Sequence, residues 1–256
     1  WTNIIPNDDV TGFTRNIQED YVNKDLLFLG TELGLYITIN GGDKWSKFTK
    51  NVPPVAIHYI ELQTNTNDLV MGTHGRGVII IDDISPLREI DETSLADKLY
   101  FFQRDEFEIQ EFGGFADNFG RETQFIGVNS SLSCQIQYLL PKRHTFGKMT
   151  MEIQDMEGNK VTTLNPGKSK GINTVEWNYN MRTPKIAKGK TLSFGGFTSP
   201  IVPAGRYKVV IKKGRDTFEK TINVTYKNNA GLNEDDRKFQ HETVMKLFNM
   251  TEELAY

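Results

Sequence analysis

Between residues 26 and 82 short apolar runs alternate with turns built from glycine, asparagine and proline. Residues 26–29, 35–39, 55–62, 69–72 and 78–82 are rich in aliphatic and β-branched side chains and predict strands. Ile84-Ser85-Pro86-Leu87-Arg88 closes this region, and residues 94–98 predict one helical turn. Strand spacing resumes at 125–128, 133–139, 149–155, 161–164, 173–177, 205–212 and 217–224, with Glu157-Gly158-Asn159 as a tight turn. The period then changes. Phe239, Val244, Leu247, Phe248, Thr251, Leu254 and Ala255 fall near the i, i+3, i+4 spacing of an amphipathic helix. Asn233 is placed to cap it, and Glu234, Asp235 and Asp236 complement the dipole of its first turn.

The first strand region repeats itself. Leu29-Gly30-Thr31-Glu32-Leu33-Gly34-Leu35-Tyr36-Ile37 matches Met71-Gly72-Thr73-His74-Gly75-Arg76-Gly77-Val78-Ile79, with one residue inserted before the last glycine. Periods of roughly 40–45 residues, made of short strands and glycine turns, mark propeller blades. Between the two copies lies Thr38-x-Asn40-x-Gly42-x-x-Trp45, in which Asn40-Gly41 is a strong hairpin signal because both positions tolerate positive φ.

That spacing resembles the Asp-box, Ser/Thr-x-Asp-x-Gly-x-x-Trp, of the bacterial-neuraminidase repeat. The resemblance implies a structural turn on the outer rim of a blade, with Thr38, Asn40, Gly42 and Trp45 as scaffold rather than active-centre residues. Trp1 would then be the tryptophan of a preceding box, so the chain is expected to begin inside a blade. Two blades cannot close a ring, and their open edges and faces need cover from further chain. Downstream, Ile153-x-Asp155-x-x-Gly158, Gly171-x-Asn173-x-Val175-x-Trp177 and Pro203-Ala204-Gly205-Arg206-Tyr207-x-Val209 resemble the Ig-like module of flagellar-hook-capping and secreted bacterial proteins. In that pattern Trp177 packs in the core, and Pro203 to Gly205 turns the chain into a strand bearing Tyr207.

The expected fold is therefore all-β: the last blades of a β-propeller, an Ig-like β-sandwich and a C-terminal amphipathic helix. The expected divisions are propeller blades at 1–91, a linker or docking segment at 92–124, the sandwich at 125–226 and the helix at 232–256. The docking segment carries Phe101, Phe102, Phe107, Phe112, Phe115 and Phe119 at no fixed period. The helical pattern runs to Tyr256 without a glycine cap or proline, which predicts that the chain is a piece of something longer.

Composition narrows the partners. A net charge of −3 and pI near 5.9 over 256 residues give no global basic field, which argues against nucleic acid. Lys185, Lys188 and Lys190, and Lys212, Lys213 and Arg215, sit beside turns and read as solvated loop charges. No stretch predicts a membrane span. The single cysteine, Cys134, lies in an alternating run and predicts a buried strand residue.

Candidate chemistry is sparse. Thr73-His74-Gly75-Arg76-Gly77 followed by Asp82-Asp83 is the densest polar cluster, so His74, Arg76, Asp82 and Asp83 are the candidate binding residues. A pocket there could grip a carboxylate or sugar hydroxyls. The structural alternative is a blade corner in which Arg76 pairs with a carboxylate and His74 caps a turn. Adjacent strand residues face opposite sides, so Asp82 and Asp83 are not a glycosidase pair. Glu61 and Asp68 have no evident partner, His58 lies on a strand, and His144 and His241 are isolated. Asp8-Asp9 reads as loop charge. No zinc spacing, phosphate loop or serine elbow is present, and no catalytic residue, metal or cofactor is assigned.

Most of the chain resembles the C-terminal part of bacterial glycosyl hydrolases with neuraminidase-type repeats, relatives of sortilin. The resemblance implies a secreted or periplasmic protein whose C-terminal, non-catalytic segment acts with the remaining blades on polysaccharide. Two alternatives stand beside it: a sortilin-like propeller binding peptide or protein, and an Ig-like carbohydrate-binding or docking module.

Overall fold

The computed structural model describes residues 3–5, 9–109, 132–186, 199–227 and 232–254. Expectations for Trp1, for Phe112, Phe115 and Phe119, for the strand at 125–128, for Lys188 and Lys190 and for Ala255 and Tyr256 lie outside the described residues. The chain divides into two compact units, Trp1–Asp97 and Lys98–Tyr256. The described residues are mostly β-sheet.

The first unit holds two antiparallel meanders. β1 (Thr14–Glu19), β2 (Leu27–Thr31), β3 (Gly34–Thr38) and β4 (Ser46–Phe48) form one sheet in that order; β5 (Ile57–Gln63), β6 (Asp68–Thr73) and β7 (Val78–Ile81) form the other. The sequence repeat is the second strand, turn and third strand of each sheet. Gly30 pairs with Leu35 as Gly72 pairs with Val78. Even the turn chemistry recurs: the Thr31 hydroxyl donates to the Gly34 carbonyl (3.0 Å) and the Thr73 hydroxyl to the Gly77 carbonyl (2.7 Å).

The two sheets stack. Phe28, Leu35 and Ile37 of the first share a core with Ile57, Ile60, Leu62, Leu69 and Met71 of the second. The approach is close at Gly30, where a Cβ would sit 2.9 Å from the Ile57 carbonyl oxygen. The opposite face of the first sheet is also covered: Leu27, Leu29, Tyr36 and Trp45 pack with Ile5 and Val10. β2 is accordingly buried along its whole length, which explains its unbroken apolar run. The second sheet differs. Val78 and Ile80, the repeat's counterparts of buried Leu35 and Ile37, are 64% and 55% exposed.

After β7 come a 3₁₀ turn (Ser85–Glu89) and α1 (Glu92–Ala96), the latter closed by a reciprocal cap between Asp91 and Ser94. Arg88 in the 3₁₀ turn reaches back to Asp20, donating from Nε and Nη2 at 2.9 Å each to a carboxylate that also accepts from the backbone of Val22 and Asn23. Its third arm donates to Asn67 Oδ1 (2.7 Å), and its plane lies over the Tyr21 ring. This buried clamp joins the ends of both sheets.

The second unit is a sandwich. β8 (Tyr100–Phe101), β10 (Cys134–Leu140) and β13 (Gly171–Trp177) form a three-stranded sheet in the order β13-β10-β8. β9 (Glu106–Ile109), β11 (Met149–Gln154), β12 (Lys160–Leu164), β14 (Gly205–Lys213) and β15 (Asp216–Tyr226) form the facing sheet, β12-β11-β14-β15-β9, with β9 parallel to β15. Inward side chains alternate from both sheets, including Ile136, Tyr138, Val175 and Trp177 against Met151, Ile153, Val209 and Ile211. β8 and β9 thus make residues 100–109 part of the sandwich rather than a linker. Cys134 is fully buried, and burial pushes its thiol pKa up to about 12.

α2 (Glu234–Glu253) begins at Asn233, whose side chain accepts from the Asp236 N–H (2.8 Å). Phe248 is its buried residue, with the Arg182 guanidinium stacked on the ring. Phe239, Val244, Leu247 and Leu254 of the expected apolar face are exposed. No helix among the described residues is long and apolar enough to cross a membrane.

Candidate functional site

Thr38, Asn40, Gly42 and Trp45 meet in one turn between β3 and β4. The Thr38 hydroxyl donates to Asn40 Oδ1 (2.8 Å) and accepts from the Gly42 N–H (3.1 Å); Asn40 Oδ1 also accepts from the Lys44 N–H (3.1 Å). Gly42 is required twice over: its φ is +103°, and a Cβ would lie 2.9 Å from the Ile4 carbonyl oxygen. Trp45 is 3% exposed, and its indole N–H donates to that same carbonyl (2.8 Å). Its backbone N–H donates to Asp9 Oδ2 (3.1 Å), so Asp9 is a partner of the turn rather than a free loop charge. The Thr38 hydroxyl, the Asn40 side-chain oxygen and the Trp45 indole N–H all have partners within the unit.

His74, Arg76, Asp82 and Asp83 do not form one cluster. His74 and Arg76 occupy the exposed β6–β7 turn; Asp82 and Asp83 follow the far end of β7, about 13 Å away for a four-residue strand. The turn is closed by Thr73, whose N–H and hydroxyl both donate to the Gly77 carbonyl, and not by the His74 side chain. Arg76 has no carboxylate partner among the described residues. Asp83 adopts a left-handed φ of 45°, accepts from the Ser85 N–H (3.2 Å) and donates its own N–H to Asp68 Oδ1 (3.0 Å). Asp68 therefore has a partner, and Glu61 accepts from the exposed Tyr59 hydroxyl (3.1 Å).

What the strands do bring together is His58 and His74. His58 is the bulged residue of β5, between Ile57, which pairs with Thr73, and Tyr59, which pairs with Gly72. The His74 N–H donates to the Ala56 carbonyl (2.9 Å), and the two imidazoles stack with centroids 5.6 Å apart. No zinc-like spacing marks the pair in the sequence, because it is assembled across strands.

A groove of about 660 Å³ lies between β4 and α1, floored by Ile37, Ile39, Phe48 and Leu87 and rimmed by Lys44, Asp91 and Glu92. Asp91 is committed to capping α1. The Ser94 N–H that it accepts lowers its pKa; Asn159 does the same for Asp155 and Arg182 for Glu252. A general acid needs the opposite shift. Among the described residues no group of three or more His, Cys, Asp or Glu side chains could hold a metal ion.

The chain matches no protein-family model, no curated protein and no solved structure.

Proposed function

We propose that the first unit is two adjacent blades of a β-propeller, and that the chain is a non-catalytic segment of an exported propeller protein acting on or binding polysaccharide. The observation that carries this reading is the mismatch between the two repeats. The first sheet buries Phe28, Leu35 and Ile37 under a second sheet of its own kind; the second sheet leaves the equivalent face, with Val78 and Ile80, uncovered among the described residues. A further blade is the cover that fits the repeat. The second sheet also has no counterpart of β4 on its β7 edge among the described residues, a place for a strand from the rest of the protein.

The internally bonded Asp-box turn supports the same assignment, as does its position between third and fourth strands. For the second unit, an Ig-like reading is supported by Trp177 in the core and by the Tyr207 hydroxyl, which donates to the Pro203 carbonyl four residues upstream (2.7 Å) in the manner of a tyrosine corner. A polysaccharide substrate and export rest on the resemblance to glycosyl hydrolases with neuraminidase-type repeats. Phe146 and Phe239 are the exposed aromatics of the second unit among the described residues; one is in a loop and the other on α2, so they form no sugar-binding row.

The test is an assay of the purified chain against aryl glycosides, sialyl conjugates and xyloglucan. No turnover is expected. Turnover that disappears in His74→Ala or Asp83→Asn would place a catalytic site here and overturn the scaffold reading.

A further inference from the structure

We propose that His58 and His74 form a two-imidazole seat for a divalent transition-metal ion of the zinc class. Both side chains are exposed, and among the described residues neither ring has a hydrogen-bond partner, so their nitrogens are open to a ligand. The centroids lie 5.6 Å apart. Two imidazoles bound to one tetrahedral ion, with Zn–N near 2.1 Å, place their centroids roughly 5 Å apart, a few tenths of an ångström closer. The ring planes lie 21° apart, so the two exposed side chains must rotate to turn their nitrogens onto one ion.

The backbones are already held. The β5 bulge places His58 beside the end of β6, and the His74 N–H bond to Ala56 fixes the facing strand. Backbone ordering is thus already in place, and only the two rings are left for the ion to orient. Imidazole nitrogen suits zinc, nickel and copper rather than calcium or magnesium. No third His, Cys, Asp or Glu among the described residues joins the pair, so water completes the coordination. The seat is open and could present its ion to an outside ligand.

The chain offers a clean background. Its other histidines are separate, His144 bonded to the Gly147 carbonyl and His241 on α2, and its one cysteine is buried. Calorimetric titration of the full chain with zinc chloride tests the proposal. One ion per chain is expected, with affinity falling about tenfold or more in His58→Ala and in His74→Ala. His144→Ala and His241→Ala should bind as the parent does. Circular dichroism melts of all four variants should be unchanged, because none of the side chains is in a core. Absence of zinc binding, or equal affinity in the His58 and His74 variants, would overturn the proposal.

Discussion

Trp45 shows how much one residue can hold. It fills the core beneath the turn between β3 and β4 and satisfies the Ile4 carbonyl, so Trp45→Ala should cost roughly 3–5 kcal/mol in chemical denaturation of the full chain. A midpoint unchanged from the parent would show that the turn does not determine the fold. Asn40→Asp should be nearly neutral, because a carboxylate accepts the same Thr38 and Lys44 bonds. The Thr38, Asn40 and Gly42 bonds were legible in the sequence because they stay within one turn; the bonds of Trp45 to Ile4 and Asp9 were not, because they span about 40 residues. Asp20 and Arg88 were not, because the partners are far apart in the chain and neither belongs to a motif. Asp20 is 1% exposed, and Arg88→Ala strands its charge; a loss of about 3–5 kcal/mol is expected. The double variant Asp20→Asn/Arg88→Met should recover part of that loss, since it leaves no unpaired charge, and equilibrium unfolding of the parent and the two variants measures the difference.

At the scale of elements, the docking of α2 depends on charge as well as on Phe248. Arg182 donates to Glu252, whose second donor is the Lys185 backbone N–H (2.8 Å). The Arg182 hydrogen bond and then that backbone bond pull the Glu252 pKa from 4.5 to about 2. A depressed folded value means that the contact stabilises fully above pH 4.5 and is lost as the pH falls toward 2. Amide resonances of α2 should therefore shift over that window, and Glu252→Gln should abolish the transition. A helix unaffected by acid in the parent would show that Phe248 alone holds it. Helical period and the Asn233 cap made α2 legible in the sequence. The burial of one face was overestimated, since a pattern cannot reveal whether a partner is present. β8 and β9 escaped notice for another reason: two and four residues are too few for alternation to stand out among the phenylalanines around them.

At the scale of the molecule, the strand repeat in the first unit and the alternating strands of the second were both readable, because each follows a backbone period. The boundary between units was not, since β8 and β9 bring the sandwich forward to residue 100. Residues 125–226 alone should be markedly less stable than Lys98–Tyr256, because they lack buried Phe107 and Ile109 and the pairing of β9 with β15. Comparing thermal melts of the two fragments checks this. The candidate cluster of His74, Arg76, Asp82 and Asp83 was contiguous in sequence yet split by the length of β7; His58 and His74 were separated in sequence yet joined by pairing. The central claim is that the first unit is built to be covered by further sheets of its own kind. The most direct measurement is sedimentation and denaturant unfolding of Trp1–Asp97 expressed alone. Self-association through the Val78 and Ile80 face, relieved by Val78→Lys/Ile80→Glu, is the expected result; a cooperatively unfolding monomer would contradict the claim.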